Sequence, residues 1–193
     1  MRRRRLACTL LCKRLRKRCI SANRILSKQF SKPLRFGVAD EAISGCGGVA
    51  DPRIGPFYCP DNMTVYYSVS FTDRSGQRPW QIGDFALAFI LAHELGHHVQ
   101  KQVGTLDAGL FTIQEELQAD CFAGVWGRLI FEQGALEEGA LGEAVEQLAN
   151  IADLPGTPWD DPGAHGTESQ RIDAFLTGYD TGCARRCTFW GGY

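Results

Sequence analysis

At 193 residues, with 44% hydrophobic and 22% charged side chains, the chain is ordinary for one globular domain with a sizeable core, which argues against a disordered or low-complexity protein. No uncharged apolar run reaches the roughly 20 residues that a membrane-spanning helix needs. The net charge of −1 conceals a split: residues 1–36 carry 13 of the 21 Lys and Arg and no acidic group, whereas residues 37–193 carry 8 basic and all 22 acidic groups.

That split divides the chain into a basic arm, 1–36, and an acidic body, 37–193, which is expected to fold. In the arm, Met1–Arg5 and Lys13–Arg18 flank seven uncharged residues, Leu6 to Cys12. These are too few to span a bilayer, and a second basic cluster stands where a signal peptide would need a small-residue cleavage site. Such an arm can contact an anionic membrane surface or nucleic acid. The alternative is a solvated tail outside the folded domain, or a start placed too far upstream. No aromatic side chain interleaves the charge clusters, which argues against specific nucleic-acid binding.

Residues 44–62 are dense in turn formers and read as a loop with a short strand at Phe57-Tyr58. Met63 to Phe71 alternates, with Val65, Tyr67, Val69 and Phe71 on one side, and predicts a half-buried strand. If its edge were exposed it could pair with an extended substrate backbone. After a polar loop, 72–80, Asp84 is a candidate N-cap for a helix from Phe85 to Val103, stopped by Gly104. Its stripe of Phe85, Phe89, Ala92, His93 and Gly96 runs into the histidines. Thr112 with Glu115 predicts a capping box opening a second helix that ends at Gly134. A third helix is expected over about Leu136 to Asp153, then a Pro/Gly/Asp loop, 154–166. Thr167 with Gln170 predicts another capping box, opening a last helix to Leu176 or Thr177 before Gly178. The fold class is α+β: a small sheet followed by about four helices.

Eight cysteines are many for a reducing compartment. No Cys-x-x-Cys pair is present, so a zinc ribbon is not indicated. Cys46, Cys59, Cys183 and Cys187 lie in loops, and proximity along the chain suggests Cys46–Cys59 and Cys183–Cys187 disulfides, with four reduced thiols as the alternative. Cys121 falls within a helical pattern.

The chemistry concentrates at His93-Glu94-Leu95-Gly96-His97. Four residues advance a helix by about 6 Å and return to nearly the same face, so His93 and His97 can converge on one zinc ion. Glu94 points away from that axis and can reach a water on the metal, whose pKa zinc lowers towards about 7. A third protein ligand is needed. Glu116 and Asp120, four apart on the second helix, suit it: Glu116 binds the metal while Asp120 accepts the N–H of a ligand histidine. Glu115 is the competing ligand, but the expected capping box already uses it. His98 is rotated about 100° from His97 and cannot join the site, which leaves it on the surface or behind a ligand. His165, in a loop before a capped helix, is either a donor to a developing oxyanion or a plain loop histidine.

Cys46-Gly47, Gly55 to Pro60, Gly83 to Ala86, Ala92 to Gln100, Glu116 to Trp126, His165 to Arg171 and Gly178-Tyr179 together resemble, in order over about 43–190, the bacterial neutral zinc metallopeptidases. The resemblance implies a zincin-like domain with one zinc ion at His93, His97 and Glu116, Glu94 as general base, and functional roles for His165 and Arg171. It also implies a protein or peptide substrate and an extracytoplasmic or membrane-associated setting. The resulting expectation is a zinc-dependent metalloendopeptidase. The alternative is a catalytically silent zinc-binding module, which would keep the ligands without needing Glu94.

Overall fold

The structure is a computed structural model that describes residues 35–38, 43–48, 51, 53, 55–68, 71 and 84–188. The basic arm up to 34, Val69 and the polar loop 72–80 lie outside the described residues, as does the side chain of Asp84. Strand β1 spans Arg35–Val38, β2 Phe57–Cys59 and β3 Thr64–Tyr67. Four helices follow: α1 Asp84–Val103, α2 Thr112–Glu132, α3 Ala140–Asn150 and α4 Glu168–Thr181. A 3-10 turn, Ala184–Arg186, closes the described part. The class is α+β. Among these helices none is long and apolar enough to cross a membrane.

The sheet order is β1-β3-β2. β3 pairs parallel with β1 and antiparallel with β2, with Tyr58 opposite Val65. β3, within the stretch whose edge status the sequence left open, is therefore the central strand, hydrogen-bonded on both sides. The outer position beside the helices belongs to β2. β1 begins two residues before the boundary drawn from charge alone.

The helices form the core. Phe89, Ile90 and Ala92 of α1 pack with Ala123 of α2, Ala144 and Leu148 of α3, and Phe175 of α4. Phe89 meets Phe175 edge to face at 5.3 Å, a geometry worth about 0.5–1.5 kcal/mol beyond area burial. Two glycines decide how closely α2 and α4 approach. A Cβ at Gly124 would collide with the Phe175 carbonyl, and one at Gly178 with the Cys121 carbonyl. Gly178 is thus a packing residue in mid-helix, and α4 runs past the expected stop to Thr181, where Gly182 takes the left-handed conformation.

Helix starts show the same dependence on context. The Thr167–Gln170 box is present: the Gln170 amide donates to Thr167 Oγ1, and Gln170 Oε1 accepts from the Thr167 amide at 3.0 Å. The Thr112–Glu115 box is not. Phe111 is the N-cap, and Gln114 Oε1 takes its amide at 3.1 Å. Thr112 Oγ1 instead donates to the Pro162 carbonyl at 3.0 Å, which ties α2 to the loop before α4. α3 is shorter than expected, because the reversal after α2 needs positive φ at both Gly134 and Gly139. Glu143 of α3 accepts the Phe85 amide at 3.2 Å, placing a carboxylate at the positive end of α1.

Between described residues two disulfides form, Cys46–Cys59 and Cys121–Cys187. The first pins the Gly-rich loop to β2, as expected. The second replaces the expected Cys183–Cys187 bond: α4 packs along α2, so the tail returns to Cys121, 66 residues earlier in sequence. Cys183 is itself disulfide-bonded.

Candidate metal centre

Gly96 brings α1 and α2 together. A Cβ there would lie 2.8 Å from the Ala119 Cα, so any larger residue would push the two helices apart. That approach sets His93 and His97 of α1 against Glu116 and Asp120 of α2. His93, His97 and Glu116 form a cluster in which one ligand atom from each lies within 4.8 Å of the others. His93 Nε2 and His97 Nε2 are 3.2 Å apart; His93 Nε2 lies 3.2 Å from Glu116 Oε2, and His97 Nε2 lies 3.2 Å from Glu116 Oε1. A tetrahedral zinc site with bonds of about 2.0–2.1 Å has ligand–ligand edges of about 3.3 Å. The two histidine nitrogens are spaced as ligands of such a site, and the Glu116 carboxylate faces them with one oxygen each.

Their protonation makes the fit chemical as well as geometric. His93 Nδ1 lies 2.7 Å from Asp120 Oδ1, and a carboxylate only accepts, so Nδ1 carries the proton. His97 Nδ1 lies 2.8 Å from Gln100 Oε1, again an acceptor. Both Nε2 atoms then turn lone pairs inward, facing the Glu116 carboxylate. Three lone-pair donors in contact need a cation among them, whether a metal or a proton. Burial would lower the His93 pKa, but Asp120 and then Glu116 outweigh it and raise it to about 10. Burial likewise opposes the charged form of His97, yet Glu116 carries it upward. For Glu116, burial is outweighed by hydrogen bonding and charge from both histidines, which hold it well below the usual carboxylate range.

Behind His93 the support is ionic. Asp120 is fully buried and accepts from Arg171 Nε at 2.8 Å and Nη2 at 3.0 Å. Arg171, 2% exposed, also donates from Nη1 to the Ile151 carbonyl at 3.1 Å. Burial favours the protonated acid at Asp120, but Arg171 and then His93 pull its pKa below the ordinary value. Behind His97 the support is uncharged. Gln100 Nε2 donates to the Glu115 carbonyl at 2.6 Å and to Gln118 Oε1 at 3.1 Å. Sequence reasoning missed Gln100 and Gln118. The available signal was position, since Gln100 falls three residues after His97 on the same helical face.

Glu94 is buried and lines the same cleft. Burial raises its pKa, against opposing charge from His97 and His93, and it accepts the backbone N–H of Tyr58. The hydroxyl of Tyr58 lies 3.1 Å from His98 Nδ1. His98 is therefore buried behind β2, not on the surface, and burial lowers its pKa. Glu115, the competing ligand, is outside the cluster; burial raises its pKa.

The cleft has a volume of about 650 Å³ and carries Tyr58, His93, Glu94, His97, Glu116 and His165 on its walls. His165 is half exposed, with Nδ1 3.7 Å from Asp153 Oδ1. Asp153 Oδ2 accepts the amides of His165 and Gly166 at 2.8 and 2.7 Å, which closes the loop and sets His165 at the rim. Arg171 also borders the cleft.

The family model described as "Putative neutral zinc metallopeptidase" matches residues 24–190. The chain is 36% identical over 185 residues to "Uncharacterized protein YpfJ" of Escherichia coli, covering 86% of this chain and 64% of that protein. It is 31% identical over 183 residues to "Uncharacterized protein Rv2575" of Mycobacterium tuberculosis, covering 82% and 62%. The chain thus spans a little under two thirds of the length of these relatives. No solved structure matches it.

Proposed function

The chain belongs to the neutral zinc metallopeptidase family, and we propose that it is a zinc-dependent metalloendopeptidase with a zincin-like fold. The observation that carries this reading is the cluster of His93, His97 and Glu116, whose ligand atoms lie within 4.8 Å of one another, in a cleft that also holds the buried Glu94. Zinc bound there supplies a Lewis acid for the scissile carbonyl and lowers the pKa of water.

Glu94 takes the proton of the attacking water and returns it to the leaving amine. Burial, by raising its pKa, makes it a stronger base than an exposed glutamate. His165 at the rim donates to the oxyanion of the tetrahedral intermediate. Asp120 holds His93 in the tautomer that leaves Nε2 free to bind, and Arg171 keeps Asp120 ionised. The substrate is a protein or peptide in extended conformation. Its backbone lies along β2, the outer strand next to the cleft. The basic arm, whose last two residues Arg35 and Phe36 belong to β1, is proposed to meet anionic membrane surfaces.

The test is hydrolysis of an unfolded protein substrate by purified protein carrying one equivalent of zinc. Activity should disappear on chelation and return on adding zinc. Zinc uptake below about 0.2 equivalents under native conditions, or hydrolysis indifferent to chelators, would overturn the proposal.

A further inference from the structure

The two imidazoles of the centre are held by chemically different partners. His93 leans on an ion pair, whereas His97 leans on Gln100, an uncharged and fully buried side chain. An amide is ambiguous in a way a carboxylate is not, because it presents an acceptor or a donor according to how it is turned. Turned over, Gln100 would aim its NH₂ at His97 Nδ1 and drive the imidazole proton to Nε2, the atom that has to bind metal.

The surroundings of Gln100 forbid that orientation. Its Nε2 faces two acceptors, the Glu115 carbonyl and Gln118 Oε1. Gln118 is in turn oriented at both ends: Oε1 accepts from Thr105 Oγ1 at 3.1 Å, and Nε2 donates to the Cys187 carbonyl at 2.6 Å. The carbonyls of Glu115 and Cys187 cannot reverse their polarity. The first belongs to α2. The second belongs to the C-terminal tail and is held against α2 by the Cys121–Cys187 disulfide, one helical turn beyond Gln118. The line from His97 through Gln100 and Gln118 to Cys187 is continuous and buried at both amides.

We propose that Gln100 and Gln118 are positioning residues of the metal centre. They form an amide relay that fixes His97 with its Nε2 lone pair inward, and the Cys121–Cys187 disulfide anchors the far end of that relay. The inference rests on the zinc reading of the site and adds a coupling between metal retention and a disulfide that joins α2 to the tail across 66 residues of sequence.

The test is a thermodynamic cycle on zinc affinity, read by competition with a chromogenic chelator, with absorption of the cobalt-substituted protein reporting ligand geometry. Gln100→Met should weaken zinc binding about ten- to hundredfold, the usual effect of removing a hydrogen-bond partner of a ligand histidine, and should change the cobalt spectrum. Gln118→Met and the pair Cys121→Ala with Cys187→Ala should each weaken binding, but not further once Gln100 is Met, because all act through one contact. Far-UV circular dichroism of the metal-free variants controls for folding. If Gln100→Met does not fold, the cycle between Gln118→Met and the cysteine pair carries the same test. Affinity unchanged within twofold, or losses that simply add, would overturn the relay while leaving the zinc site standing. A wild-type protein that takes up no zinc would overturn both.

Discussion

Asp120 has two jobs that can be separated. It accepts His93 Nδ1–H, and it is the counter-ion of a guanidinium that is 2% exposed. Asp120→Leu removes both functions and leaves Arg171 buried without its paired carboxylate. Breaking a buried pair from one side costs about 3–5 kcal/mol. In a chain of this size 1 kcal/mol corresponds to about 2–4 °C, so the metal-free protein should melt roughly 6–20 °C lower. Replacing both partners, Asp120→Leu with Arg171→Met, removes the orphaned charge and should restore most of that stability. It should not restore zinc affinity, which should stay about ten- to hundredfold down in both variants because His93 still lacks its acceptor. The assay is thermal denaturation of chelator-treated protein beside chelator competition for zinc; metal must be absent from the melts, since binding raises the apparent stability. If zinc affinity recovered together with stability in the double variant, Asp120 would act only through the fold, and the claim that it orients His93 would fail.

Gly178→Ala, which drives a Cβ into the Cys121 carbonyl, should destabilise the protein by about 1–3 kcal/mol in urea denaturation; an unchanged midpoint would deny the close approach of α2 and α4. The metal-free protein should have a characteristic pH profile. His93, raised from 6.5 to about 10, contributes stability that is complete below about pH 6.5 and lost as pH rises through about 10. Glu116 and Asp120, both lowered, contribute stability present above their ordinary values of 4.5 and 3.8 and lost as pH falls. The melting temperature without metal should therefore peak between those limits and fall from pH 7 to pH 10. Bound zinc should abolish the alkaline fall by taking the proton's place, and a flat metal-free profile over that range would contradict the cluster's electrostatics. His165→Ala should lower kcat about 10²- to 10³-fold with zinc content unchanged; wild-type turnover would return His165 to a plain loop residue.

What was legible in the sequence follows the range of the forces involved. His93 and His97 are one helical turn apart, so their convergence is a property of the local backbone. Glu116 and Asp120 repeat that logic on the next helix. Gly178 was misread because one letter serves two causes: a glycine ends a helix where positive φ is needed, and it admits a neighbouring helix where a Cβ would clash. Thr112 fitted a capping signature, yet Phe111 with Gln114 took that role while the threonine bonded Pro162. The Cys121–Cys187 bond and the Gln118 to Cys187 contact join residues 66 and 69 positions apart, and no local pattern encodes them. Sheet order was equally out of reach, since alternation in Met63 to Phe71 shows a half-buried strand and nothing about which strands flank it.

The most direct test of the account is the rate of protein-substrate hydrolysis by Glu94→Gln relative to wild type, both carrying one equivalent of zinc. The substitution keeps size and removes the base, so the account predicts full zinc content with hydrolysis reduced by about 10²-fold or more. Hydrolysis at the wild-type rate by the zinc-loaded variant would contradict it.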